Sequence, residues 1–354
     1  MNLLIVNAGS SSLKLRVLDD ADQVVDEKNV ADWDGDPDPL DSVLGKAAAV
    51  VHRVVHGGDR FDGAAVVDDQ VEAQIEELVP LAPLHQPRAL ELIRHSRRKD
   101  LPVVACFDTS YHRTIPDAAA TYALPAEWRR RWNLRKFGFH GLSHQYVAVR
   151  APEVLGRPLP RLVSCHLGAG ASLCAVVDGR SVDTTMGFTP VDGLVMATRS
   201  GSVDPGLLMW LQTEGGLSAD QVNAGIEHHA GLLGLSEKSG DLREILSGLD
   251  AGDEHCQLAF AVYVYRLAGE VARMAGALRG LDAIAFTGGV GEHSAPLRAA
   301  VAARLGWLGV VLDTESNESP DGVISPADTA VGLCVIPSRE DVTMAAQARA
   351  VLKR

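Results

Sequence analysis

The segment Leu162-Val163-Ser164-Cys165-His166-Leu167-Gly168-Ala169-Gly170-Ala171-Ser172-Leu173-Cys174-Ala175-Val176-Val177-Asp178 repeats the plan of Leu4 to Asp19. Each is an apolar run, a Gly/Ser corner, a Ser-Leu step, an alternating run and an aspartate, which reads as two strands joined by a tight turn. Self-similarity across about half a chain suggests two domains of one kind related by duplication, not a short-period solenoid. A chain of 354 residues also exceeds what one core usually supports. Pro152, Gly156, Pro158 and Pro160 mark a boundary. The expectation is an α/β fold with a first domain over 1–150 and a second over 151–340, the last helix, 341–354, packing back on the first.

The first corner, Asn7 to Lys14, offers backbone N–H groups, hydroxyls and one cation in a small space, a combination that suits phosphates. Alone it reads more readily as an ordinary Ser-rich hairpin. Its echo at His166 to Ser172 suggests two hairpins facing one ligand across a cleft.

The net charge of −13 lacks the basic excess that nucleic-acid binding needs. The opening apolar run, Leu3 to Val6, is cut short by Asn7, and no apolar run approaches the roughly 20 residues that span a bilayer. A cytoplasmic protein with neither nucleic acid nor membrane as a partner is expected. Cys106, Cys165, Cys174, Cys256 and Cys334 show no C-x-x-C spacing and read as reduced core thiols.

Along the chain, an acidic loop over Asp32 to Asp41 precedes a strand-like run, Ala47 to Val55, that carries Arg53. Two amphipathic helical stretches between Gln70 and Lys99 flank a stiff loop holding Pro80, Pro83 and Pro87. The strand Leu101 to Phe107 delivers Asp108 at its carboxyl end, where open α/β sheets place ligands. In the second half, Asp241 is placed to cap a helix, a long helix covers Glu254 to Leu278, and the strand Ala283 to Thr287 ends in Gly288-Gly289-Val290-Gly291-Glu292. A final strand, Gly332 to Pro337, leads to Ser338-Arg339-Glu340-Asp341 and the last helix. No Walker A or G-x-G-x-x-G pattern is present. His140 and His144 stand four apart but lack a third nearby ligand, so a structural role for His144 is expected.

Three phosphate-type corners without a Walker motif suggest the actin-like nucleotide fold. The stretches Asn7 to Lys14, His52 to Gly58, Ala82 to His85, Phe107-Asp108-Thr109, Gly138-Phe139-His140-Gly141, His166-Leu167-Gly168, Met186 to Pro190, Thr198 to Gly201, Asp241-Leu242-Arg243, Gly289 to Glu292 and Ile336 to Glu340 resemble the acetate kinase family, in that family's order and from end to end. The resemblance implies two duplicated actin-like (ribonuclease H-like) domains with an interdomain nucleotide cleft. Departures are Ala169 and His293, where the family usually has Asn, Gln86, where Asn is usual after His, and a shorter segment between Asp19 and Ala47.

By that resemblance the reaction is reversible transfer of the ATP γ-phosphoryl group to acetate, giving acetyl phosphate and ADP. The alternatives are a propionate or butyrate kinase of the same family, or a non-catalytic nucleotide-binding clamp. Asp108, Arg53, His140 and Arg199 are the implied catalytic residues. Asp108 is expected to orient Arg53 and the nucleophile, since a carboxylate acceptor is already ionised at neutral pH. The nucleotide falls to Lys14, to His166, Leu167, Gly168, Ala169 and Gly170, to Asp241, Leu242 and Arg243, and to Gly289, Val290, Gly291, Glu292 and His293. Arg53 with Val55, Leu84, Phe139 and Pro190 would receive acetate or another short-chain carboxylate. The metal positions are Asn7 and Glu340, for Mg²⁺ with Mn²⁺ as a substitute, and the family implies a homodimer.

Overall fold

The structure, a computed structural model, describes residues 1–9, 12–319 and 321–353. Ser10 and Ser11, at the tip of the first corner, and Arg354, at the end of the expected last helix, lie outside the described residues. The chain forms two compact units. One comprises Met1–Arg113, Phe139–Tyr146 and Arg339–Arg354, the other Thr114–Gly138 and Val147–Ser338.

The first unit is built on a six-stranded sheet of β1 (Leu3–Ala8), β2 (Ser12–Leu18), β3 (Val24–Ala31), β4 (Ala49–Val54), β5 (Ala65–Val66) and β6 (Val103–Phe107), in the order β3-β2-β1-β4-β6-β5. β1, β4 and β6 run parallel, and the other pairings are antiparallel. The central strands are apolar on both faces, as parallel strands covered on both sides must be. Period-two alternation sorts their side chains. Leu4, Val6, Leu13 and Leu15 pack with Trp33, Leu40 and Leu92 on one face, while Leu3, Ile5, Val51 and Val104 pack with Leu142, Met344 and Ala348 on the other. The helix Glu340–Leu352 therefore sits on the first unit's sheet.

The second unit repeats the plan with β7 (Arg161–Leu167), β8 (Ala171–Val177), β9 (Arg180–Thr184), β10 (Ala283–Thr287), β11 (Gly322–Val323) and β12 (Gly332–Val335). Their order, β11-β12-β10-β7-β8-β9, is that of the first sheet with β7, β8, β9, β10, β12 and β11 standing for β1, β2, β3, β4, β6 and β5. The pairing senses match as well. Two sheets of one topology, each opening on the repeated hairpin, carry the α/β duplication read from the sequence. The helix Glu254–Leu278 is capped by Asp253, whose carboxylate accepts from the Cys256 N–H at 3.0 Å, and buries Tyr263, Leu267 and Val271 against β7 and β8.

All five cysteines are free and buried. No helix among the described residues is long and apolar enough to cross a membrane. The stretch expected as a loop over Asp32 to Asp41 already enters the helix Asp38–Leu44, started by Pro37 and burying Leu40, Val43 and Leu44.

Candidate active site

The three parallel strands of the first unit end side by side, and each delivers one polar group. Asn7 lies on β1, Arg53 on β4, and Asp108 one residue beyond β6. Arg53 Nε donates to both Asp108 oxygens at 3.0 and 3.1 Å, and its Nη2 donates to Oδ2 at 2.5 Å. Arg53 Nη1 donates to Asn7 Oδ1 at 3.0 Å, and Asn7 Nδ2 in turn donates to Glu340 Oε2 at 3.1 Å. A single chain of hydrogen bonds thus joins residues from both ends of the sequence.

Asp108 is 1% exposed and Arg53 16%. Burial opposes the charge on Arg53, but the Asp108 and Glu340 carboxylates outweigh it and hold the guanidinium firmly protonated. Burial pushes the Asp108 carboxyl above its ordinary value, with Arg53 pulling the other way. The Gly138 to Gly141 turn locks this corner. The Gly141 N–H donates to the Asp108 carbonyl at 2.9 Å, and a Cβ at 141 would lie 2.1 Å from that oxygen, so only glycine fits. His140 beside it holds φ at +55°, a region that a non-glycine residue enters only when its surroundings dictate it.

Glu340 opens its helix half-buried, where the helix dipole favours a carboxylate. The next residue, Asp341, is fixed by Arg16 and Arg339. Beyond the bond from Asn7, the Glu340 carboxylate meets no other protein donor among the described residues. That suits a hard cation, which takes oxygen ligands and keeps several waters and substrate oxygens. Asn7 is differently engaged, its oxygen toward Arg53 and its N–H toward Glu340. No group of three or more His, Cys, Asp or Glu able to hold a metal occurs among the described residues. His144 is buried with its ring edge-on to His112 at 5.8 Å. Of the apolar candidates, Phe139 is buried with its ring edge-on to His56 at 5.6 Å, Val55 is half-buried and Leu84 is 48% exposed. Lys14 is exposed directly across the hairpin from Asn7.

In the second unit the Leu167↔Ala171 pair closes the second hairpin over Gly168, Ala169 and Gly170, and Gly168 N–H bonds the Gly170 carbonyl at 3.0 Å. Gly168, Ala169, Asp241, Leu242, Arg243, Gly289, Val290 and His293 line a cavity of about 690 Å³, a volume that suits a small-molecule ligand. His166, Leu167, Gly170, Gly291 and Glu292 do not line it. Glu292 instead accepts the Ser338 N–H at 3.0 Å. Asp241 caps its helix through the Arg243 N–H at 2.9 Å and pairs with the exposed Arg243 guanidinium.

Arg199 and Pro190 also belong to this unit, and the only hydrogen bond from the Arg199 guanidinium among the described residues is a long one to the Pro190 carbonyl, 3.5 Å. Burial lowers its pKa from the ordinary arginine value, against the pull of Glu227. Its loop is held by backbone bonds, Met196 N–H to Arg199 O at 3.1 Å and Ser200 N–H to Ile226 O at 2.9 Å. A guanidinium on a fixed loop, hydrogen-bonded to no carboxylate among the described residues, is prepared for an anion from outside the protein.

Sequence reasoning passed over several contributors. Tyr263, Leu232 and Ser294 also line the cavity, and the buried Ser294 hydroxyl has no hydrogen-bond partner among the described residues. Arg298, 1% exposed, donates to the carbonyls of Gly291 and Glu292 at 2.8 Å each and to Asn317 Oδ1 at 2.9 Å, fixing the short helix Gly288–His293. Only the proximity of Ser294 to the glycine corner could have flagged any of these.

The acetokinase family model matches residues 38–346. The acetate kinase of Deinococcus deserti is 48% identical over 86% of this chain and 78% of its own length. That of Thermotoga maritima is 38% identical over 100% and 99%. Among solved structures, Porphyromonas gingivalis acetate kinase superposes with a TM-score of 0.93 at 33% identity, over 99% of both chains. A propionate kinase from Francisella tularensis gives 0.91 at 33%, over 98% of both. With a family model covering most of its length and relatives of this similarity, the chain belongs to the acetokinase family.

Proposed function

We propose that this chain is a carboxylate kinase that transfers the γ-phosphoryl group of ATP reversibly to acetate. The observation that carries the reading is the chain Asp108–Arg53–Asn7–Glu340 at the carboxyl ends of three parallel strands. A carboxylate oxygen of acetate attacks the γ-phosphorus, the bond from phosphorus to the β,γ-bridging oxygen breaks, and ADP leaves with the electron pair. No proton moves, so the protein must supply positive charge and alignment, not a base.

Arg53 binds the acceptor carboxylate, and Asp108, with both oxygens committed to that guanidinium, orients it. Arg199 and His140 donate to the phosphoryl oxygens as charge spreads over them. Lys14 and the corner His166 to Gly170, whose Gly168 N–H is already bonded to the Gly170 carbonyl, bind the phosphates, and the cavity at Asp241 to Arg243 and Gly289 to His293 takes the nucleoside. Glu340 holds the divalent cation, Mg²⁺ or Mn²⁺, with Asn7 orienting it. When bound, that ion neutralises phosphate charge. Val55, Leu84, Phe139 and Pro190 receive the methyl group. A pocket of that kind separates homologues by about 1 to 3 kcal/mol per methylene, so propionate is a weaker second substrate.

Trapping acyl phosphate with hydroxylamine, with MgATP and acetate, propionate or butyrate, tests the reading. Acetate is expected to give the highest kcat/KM, and absence of hydroxamate from all three would overturn it.

We further infer that the protein works in the cytoplasm as a homodimer. The helix Pro205–Thr213 is strongly apolar yet buries none of its residues, leaving Leu207, Met209 and Trp210 about half exposed. Trp210→Glu is expected to yield monomers in analytical ultracentrifugation; an unchanged association state would place the interface elsewhere.

A further inference from the structure

We propose that Gln86 is a positioning residue that sets the width of the acyl pocket and so the choice of carboxylate; the inference rests on the kinase reading above. Gln86 is fully buried. Its Oε1 accepts the His56 N–H at 3.3 Å, while its Nε2 donates to the His56 carbonyl at 2.9 Å and to the Ile75 carbonyl at 3.4 Å. The side-chain amide thus does for His56, two residues beyond the end of β4, what a neighbouring strand does for a strand residue: it meets both its N–H and its carbonyl. Burying an amide is costly unless its hydrogen bonds are made, and here they are made to the His56 backbone in both directions and to the Ile75 carbonyl.

The position of that clamp gives it a functional reading. On one side it grips two successive peptides, the one joining Val55 to His56 through the N–H and the one joining His56 to Gly57 through the carbonyl. On the other side the clamp follows Leu84 by two residues. The His56 ring meets Phe139 edge-on at 5.6 Å and is itself fixed, its Nδ1 accepting the Gly58 N–H at 2.9 Å. One amide therefore ties together the backbone that carries Val55, the backbone that carries Leu84, and the support of Phe139. The length of its side chain sets how closely the first two approach. A buried amide that merely holds the fold would lower stability when lost. A width-setting one also changes the ranking of acyl chains.

The test measures kcat/KM for acetate and butyrate, together with KM for ATP, in the full-length protein and two variants. Gln86→Leu keeps volume and loses all three hydrogen bonds, so the acetate-to-butyrate ratio is expected to fall about tenfold while KM for ATP holds. Gln86→Asn keeps the amide on a shorter arm, drawing the two backbones together, and is expected to raise the ratio. If the leucine variant fails to fold, the asparagine variant decides. A ratio unchanged or moved in the opposite direction, beside normal wild-type turnover, overturns the role of Gln86 alone. Absence of acyl phosphate from the wild-type protein overturns the kinase reading and this inference with it.

Discussion

Arg53 and Arg199 are the same side chain in opposite states. Arg53 is bidentate with Asp108 and bonded to Asn7, so its geometry is set before any ligand arrives. Arg199 has a fixed backbone, no carboxylate partner among the described residues, and a pKa lowered by burial. A desolvated cation that no carboxylate holds by a hydrogen bond, with only the pull of Glu227 on it, gains most from an anion whose charge grows, and equatorial phosphoryl charge does so in the transition state. Arg199→Ala is therefore expected to lower kcat by about 10²- to 10³-fold while KM for ATP changes little, measured by steady-state kinetics. A change confined to KM would assign Arg199 to ground-state binding. Both arginines were legible in the sequence because each sits in a short motif. Gln86 stood out only as a departure beside His85 in a stretch expected as a loop, which gave no sign of its burial, and Arg298 did not stand out at all, since a polar residue in a helix reads as surface until the packing around it is known.

At the scale of elements, the strands with strong apolar runs and the helix Glu254–Leu278 were readable, the latter with the same bounds. β3 was not, because Val24–Ala31 is an edge strand whose residues are exposed or half-buried, leaving no apolar face to detect. The two-residue strands β5 and β11 owe their existence to pairing with β6 and β12. The glycine corner after β10 was legible as a turn, yet it folds as the short helix Gly288–His293. Six residues are too few for a self-supporting helix, so partners from outside must satisfy its free carbonyls. Arg298 does so, and it also donates to the Asn317 and Ser319 carbonyls. Arg298→Met retains much of the volume and removes the donors. It is expected to cost about 3 kcal/mol in chemical denaturation, from buried carbonyls left unpaired, and to raise KM for ATP because Gly289 and His293 line the cavity. Wild-type stability with wild-type KM would show that the corner holds its shape unaided.

Across the whole molecule, duplication has preserved topology and let chemistry diverge. His52, His56, His112 and His144 are buried, and all four lie in the first unit; the second unit's histidines are half-buried or exposed. Burial lowers His52 to about 3, with its Nε2 against Ser96 Oγ at 2.9 Å, and lowers His56 to about 4. Both stay neutral in the fold while the unfolded chain takes up protons below the ordinary histidine value of 6.5. Their contribution to stability is therefore complete above that value and is lost as pH falls toward the folded values, by about 1.4 kcal/mol per pH unit for each. The first unit should thus unfold ahead of the second on acidification. Tryptophan emission separates the two, because Trp33, 3% exposed, is in the first unit's core, whereas Trp128, Trp132, Trp210 and Trp307 are about half exposed or more. Between about pH 7 and about pH 5 the expected midpoint for denaturant unfolding, read by the red shift of Trp33, moves lower by an amount worth about 4 kcal/mol. His52→Asn, which can still bond Ser96 but cannot titrate, should remove about half of that shift. A midpoint independent of pH, or a His52→Asn protein as acid-sensitive as the wild type, would show that the buried histidines do not govern the stability of this unit.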